Sequence, residues 1–177
     1  FFSNLNAKIY KAETIDTHGG SIRIYITKNK RVYVEKNVKK ILNKESNFGL
    51  KSFNRYKKFS EDVKKIKQNV SRNIKKILKK YKKVIFYGAP AKATTSLNFY
   101  GIKNKEMIII EDNKLKQGKI LPGVQIPIYS KDILNRDKEE LIVVLAWNFI
   151  REIKEKNKSL SNKFLSIKKL EEENLKI

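Results

Sequence analysis

Lys92 closes the segment Val84-Ile85-Phe86-Tyr87-Gly88-Ala89-Pro90-Ala91-Lys92, where an apolar, β-forming run ends in Gly-Ala and a helix candidate begins. A strand that turns into a helix leaves unpaired backbone N–H groups at the turn. With the positive end of the helix dipole, these make an anion site. A lysine in the first turn opposes that dipole, which makes more sense if an anionic ligand also arrives. A tight turn with a solvated lysine fits the same residues. His18, the one histidine, stands beside Gly19-Gly20. Backbone can approach closely around two glycines, and imidazole serves near neutral pH as acid, base or hydrogen-bond partner. A lone histidine is as readily structural. Trp147-Asn148 holds the only tryptophan and follows a very apolar run; ligand lining and core packing both fit there.

The elements that must hold these residues fall into three regions. Residues 1–35 contain the alternating segment Ser21–Thr27 and, after Lys28-Asn29-Lys30, the segment Arg31–Glu35, read as a hairpin or two sheet-edge strands. Such a hairpin is marginal alone and needs a sheet to join. Residues 36–50 read as a linker or short helix. A long helix, about Ser52 to Lys83, follows, with Phe53, Tyr56, Phe59, Val63, Ile66, Val70, Ile74, Ile77 and Tyr81 in one stripe at spacings of three and four. Its length fits a strut to whatever precedes this chain; a coiled-coil seam fits less well, because aromatic residues and lysines stand where Leu or Ile belong.

From residue 84 onward strands and helices alternate. Strand runs are expected at Val84–Tyr87, Met107–Ile110, Val124–Tyr129, Leu141–Leu145 and Phe164–Ile167, with helices at Ala91–Tyr100, Lys131–Arg136 and Asn148–Lys156. Apolar strands interleaved with helices predict an α/β fold: a Rossmann-like open, mostly parallel sheet with helices on both faces. Ligands in such sheets sit beyond the C-terminal strand ends, at the switch point. That directs attention to Gly88–Thr95, Glu111–Asn113 and Ala146–Phe149.

Composition narrows the chemistry. A chain of 177 residues with 40% hydrophobic content can bury a core. The absence of cysteine removes disulfides, thiolate metal sites and cysteine nucleophiles, and one histidine excludes a multi-histidine metal centre, so no metal site is expected. No run reaches the roughly 20 apolar residues that span a bilayer, and no signal peptide is visible; a cytoplasmic setting with no membrane partner is expected. The chain begins Phe1-Phe2, as a segment starting partway through a longer protein would. The net charge of +23 raises nucleic acid as a partner. Nearly all of it is lysine spread along the chain, whereas specific base and phosphate recognition favours arginine, so a solvated surface with salt-labile polyanion attraction is the better reading.

Two nucleotide motifs fail on inspection. Asp112 stands where a dinucleotide-binding sheet places its ribose acid, but Gly88-Ala89-Pro90-Ala91-Lys92-Ala93 has one glycine where close pyrophosphate approach uses two more. Lys92 also lacks the spacing and following residues of a Walker A loop. Gly118–Ile128 carries two of the three prolines and two of the seven glycines, a density that fixes an irregular loop running into an edge strand.

Together and in order, His18-Gly19-Gly20-Ser21-Ile22-Arg23, the long helix, Tyr87-Gly88-Ala89-Pro90-Ala91-Lys92, Leu97-Asn98, Asp112, Lys116-Gln117-Gly118, Leu121-Pro122-Gly123-Val124-Gln125-Ile126-Pro127-Ile128 and Trp147-Asn148-Phe149 resemble one family. It is the C-terminal part of the bacterial S-adenosylmethionine-dependent C-methyltransferases that act on nucleotide-linked deoxysugars, and the resemblance covers nearly the whole chain. It implies that residues 1–35 close an upstream methyltransferase domain, 36–83 form a linker and long helix, and 84–177 form the C-terminal domain. It implies a nucleotide-diphosphate-sugar partner gripped by Gly88, Ala89, Lys92, Thr94, Thr95, Asn98, Trp147 and Asn148, with His18, Ser21 and Arg23 reaching the ligand from the methyltransferase side. In such enzymes a keto-sugar loses a proton beside its carbonyl and the enolate attacks the sulfonium methyl. The family's Tyr-His-Glu-His catalytic segment, its glycine-rich cofactor loop and its zinc cysteines are absent here. S-adenosylmethionine and zinc are therefore expected upstream, and the chain alone is expected to be inactive. Ala93-Thr94 stands where the family usually has Gly-Asn, which puts the sugar contacts in question. A nonenzymatic polyanion-binding module is the alternative.

Overall fold

Alternation in the strands settles which side chain faces which layer. In the computed structural model, which describes residues 1–81, 83–102, 107–134, 141–159 and 164–175, the central strand β3 (Val84–Tyr87) is buried along its whole length. Val84 and Phe86 enter one core layer while Ile85 and Tyr87 enter the other, as the period of two requires. Around it lie β4 (Met107–Ile110), β5 (Ile120–Leu121), β6 (Ile126–Tyr129), β7 (Ile142–Val144) and β8 (Phe164–Ser166), in the order β5-β6-β4-β3-β7-β8. All neighbours pair parallel except β5, which pairs antiparallel with β6 at the edge. Numbered along the chain, the five parallel strands run 3-2-1-4-5, the order of doubly wound nucleotide-binding sheets, with the switch point between β3 and β7.

The expected α/β sheet with helices on both faces is therefore present. One face carries Val70, Ile74 and Ile77 of the long helix α2 (Phe53–Lys80), Ala93 and Leu97 of α3 (Ala91–Tyr100), and Ile167 and Leu170 of the C-terminal turn α5 (Ile167–Leu170). The other carries Ile153 of α4 (Ile150–Lys156) and Phe164. Asn73 is fully buried in α2 and donates through Nδ2 to Leu170 O at 2.9 Å and Glu172 O at 2.8 Å, which ties the chain end to this helix.

Residues Phe1–Glu61 and Asp62–Ile177 make two compact units, the division falling within α2. In the first, β1 (Lys8–Ile15) and β2 (Ser21–Thr27) form an antiparallel hairpin, with α1 (Lys36–Phe48) packed on β1. The hairpin is as expected, but its partner is not. Ser21–Thr27 pairs with the preceding Lys8–Ile15, and Arg31–Glu35 is no strand. The Asn29 side chain accepts the Arg31 N–H at 2.9 Å and bends the chain, and Tyr33 is left 92% exposed.

Other boundaries shift slightly. The last strands are Ile126–Tyr129, Ile142–Val144 and Phe164–Ser166, shorter than expected at one or both ends. The helix expected at Lys131–Arg136 begins as a 3-10 turn, Lys131–Ile133, and its positions 135 and 136 lie outside the described residues.

Candidate functional site

The C-terminal edge of the sheet gathers most of the residues singled out in the second unit. Gly88 follows β3 at φ +89, and a Cβ there would come 3.3 Å from the Ala146 Cβ just past β7. The switch point is so close-packed that glycine fits it on two counts, conformation and contact.

The turn differs from expectation in its hydrogen bonding. Three of its N–H groups are taken: Gly88 donates to Ile110 O at 2.8 Å, Ala89 to Glu111 Oε2 at 2.7 Å, and Ala93 to Pro90 O at 2.9 Å. Glu111 is fixed in turn. Its Oε1 accepts the Asn113 N–H at 3.0 Å, its carbonyl accepts Gln117 Nε2 at 2.7 Å, and its own N–H bonds Tyr129 O. Lys116 donates to Ala89 O at 2.8 Å and lies 3.9 Å from the same carboxylate. A protein carboxylate thus occupies an N–H that a bound phosphate would use. This turn does not fit a dinucleotide whose pyrophosphate would use the Ala89 N–H. Asp112 is likewise committed, accepting the Tyr87 hydroxyl at 2.8 Å with Lys131 at 3.9 Å. Burial pushes the Tyr87 phenol up to about 12, and the bond to Asp112 adds to the shift; the Asn157 Nδ2 donated to its oxygen at 3.2 Å works the other way.

Lys92, exposed in the first turn of α3, holds its ammonium 5.3 Å from the Trp147 ring centroid. Lys168 holds a second at 5.4 Å from the same ring. Trp147 is half-buried and packs on the core, with its ring face toward the two cations. Asn148 is exposed beside it.

Asn98 works within the scaffold. Its Nδ2 donates to Thr94 O at 2.8 Å and to Pro122 O at 2.9 Å, stapling α3 to the Pro-Gly loop. Gly123, at φ +81, leaves the room that Asn98 occupies; a Cβ there would come within 2.7 Å of the Asn98 Cγ. Thr94 is half-buried and Thr95 exposed, and no side-chain bond of either is found among the described residues.

In the first unit, His18 sits in the β1–β2 turn at φ +57, exposed, and Gly20 follows at φ +117. The Ser21 hydroxyl donates to Thr17 O at 3.0 Å. Arg23 pairs with Glu13 at 3.4 Å, while the Tyr25 hydroxyl donates to the same carboxylate at 2.7 Å and holds its pKa below the ordinary value. Motif reading missed Asn157 and Lys168, and it marked Glu111 by position without a role. Glu111 carried one signal, its place at the end of the second parallel strand. Lys168, in a lysine-rich stretch, carried none.

A sheet of this order, with its open edge at a Gly-Ala-Pro-Ala-Lys turn, belongs to a defined class. The profile of the C-methyltransferase C-terminal domain matches residues 16–165, and the chain belongs to that family. It is similar to the C-methyltransferase NovU of Streptomyces niveus, 29% identical over 154 residues. The match covers 86% of this chain and 37% of NovU, so the chain spans well under half the length of that relative.

Proposed function

We propose that the chain is the substrate-holding part of an S-adenosylmethionine-dependent C-methyltransferase whose substrate is a nucleotide-linked keto-deoxysugar. The observation that carries the reading is family membership joined to an open switch-point edge that presents Lys92 and Trp147. The methyl group would come from S-adenosylmethionine held upstream, where zinc is also assigned. In this reading Lys92 holds the diphosphate, while Thr94, Thr95 and Asn148 are free to meet the sugar or nucleoside. Gly88, Ala89 and Asn98 shape the edge rather than touch the ligand. His18, Ser21 and Arg23 are assigned to the methyltransferase side, in residues 1–35. Ile22, Ile24 and Ile26 share one face of β2 at 51, 41 and 42% exposure, apolar surface of the kind a further domain covers. Residues 36–83 serve as linker and strut, 84–177 as the substrate domain, and the whole works in the cytoplasm.

One observation favours the alternative polyanion module. Lys64, Lys67, Arg72 and Lys75 line a shallow groove of about 660 Å³ along α2, beside Tyr100. A polyanion there would bind with steep salt dependence and no preference for sugar nucleotides.

Isothermal titration with a thymidine diphosphate sugar tests the proposal. Lys92→Ala is expected to weaken binding about tenfold, the worth of one charge-assisted contact of roughly 1.4 kcal/mol, with an unchanged unfolding midpoint. Unaltered affinity would remove Lys92 from the site.

A further inference from the structure

The strand-to-helix turn is the expected phosphate cradle of such a sheet, yet here one of its donors already serves a carboxylate. Ala89 gives its N–H to Glu111 at 2.7 Å, and that carboxylate is held in place by the Asn113 N–H. An incoming phosphate would lose that donor and meet the Glu111 carboxylate, which Lys116 balances only from 3.9 Å. Besides Lys116 and Lys131, which face Glu111 and Asp112, two further positive charges stand over an aromatic ring. Lys92 of α3 and Lys168 of α5 both hold their ammonium groups over the Trp147 ring, at 5.3 and 5.4 Å. Lys168 is tethered to Glu171 at 3.2 Å, and the Ser166 hydroxyl accepts its N–H at 3.3 Å, which fixes the start of its helical turn. Lys92 has no carboxylate partner among the described residues. Two like charges drawn to one indole, with one carboxylate between them, leave an uncompensated positive charge beside an aromatic face.

We propose that Lys168 is a second anion-binding residue of this edge, and that Lys92 and Lys168 grip a diphosphate across Trp147 in place of the strand-to-helix turn. This rests on the reading that the edge takes a nucleoside diphosphate sugar, and it moves the phosphates from the turn to the two lysines. Glu171 holds Lys168 in the absence of ligand and releases it to the diphosphate.

Because Trp147 is the only tryptophan, its fluorescence reports this point of the molecule directly. Titration with inorganic pyrophosphate and with thymidine diphosphate, at fixed ionic strength, compares the wild type with Lys168→Gln, Glu171→Gln and the exposed control Lys76→Gln. A saturable change in the wild type is expected. Its dissociation constant should rise about tenfold in Lys168→Gln, fall in Glu171→Gln and stay within about twofold in Lys76→Gln. Wild-type affinity in Lys168→Gln, with binding lost in Lys92→Ala, would overturn the role of Lys168 and leave the substrate reading standing. Equal losses in Lys168→Gln and Lys76→Gln would reduce the effect to net charge and overturn it as well. No response from either ligand in the wild type would overturn both.

Discussion

Glu111 decides more about this edge than any residue the motifs point to. A carboxylate on the Ala89 N–H braces the turn, and in the proposed reading recognition falls to side chains around it. Tyr87 belongs to the same corner, its hydroxyl shared between Asp112 and Asn157. With a folded pKa of about 12 against roughly 10 in the unfolded chain, it favours folding while neutral. That contribution is complete below about pH 10 and is lost as pH climbs through about 12. Tyr87→Phe should therefore lie below wild type in urea midpoint at neutral pH, by about 1 kcal/mol in stability, and the gap should narrow above about pH 10. A gap unchanged from about pH 8 to about pH 11 would contradict this account of the hydroxyl.

The helix α2 shows how one element can be read correctly in form and only partly in role. Its stripe is continuous in the sequence, but only Val70, Ile74 and Ile77 are buried, while Phe53, Tyr56 and Phe59 stay 80, 53 and 65% exposed. The buried half is locked by Asn73, whose Oδ1 has no partner among the described residues and whose Nδ2 serves two carbonyls of the C-terminal turn. Asn73→Ala should lower stability by roughly 2–3 kcal/mol in chemical unfolding, since two carbonyls lose their donor in a closed space. A loss under about 0.5 kcal/mol would show that water replaces the amide there. Legibility followed the strength of local pattern. Val84–Tyr87, Met107–Ile110 and Ala91–Tyr100 were readable to the residue: the first is an unbroken apolar run ending at Gly88, the second one bounded by glutamates, and the helix lies between Pro90 and Gly101. Lys8–Ile15 was missed because lysines and a glutamate interrupt its alternation, and it gains its order from Ser21–Thr27 across the turn. Ile120–Leu121 is too short to carry a period at all. The candidate site was half legible: Lys92, Trp147 and the strand-end position of Glu111 could be marked from the sequence, whereas the bond Glu111 makes to Ala89 and the place of Lys168 depend on contacts distant in sequence.

Across the whole molecule the charge of +23 and the family assignment pull toward different partners. Among the described residues no helix is long and apolar enough to cross a membrane. The groove along α2 and the edge at Trp147 both lie in the second unit, and a bound ligand must choose between them. Salt dependence separates nonspecific attraction from a built site, but only position within the fold identifies the site itself. The most direct measurement is therefore a residue-resolved nitrogen–proton NMR titration of the chain with a thymidine diphosphate sugar at moderate salt. The account predicts saturable shifts concentrated at residues 88–95, Trp147 and Lys168. Shifts along Lys64–Lys75 instead, or none anywhere, would contradict it.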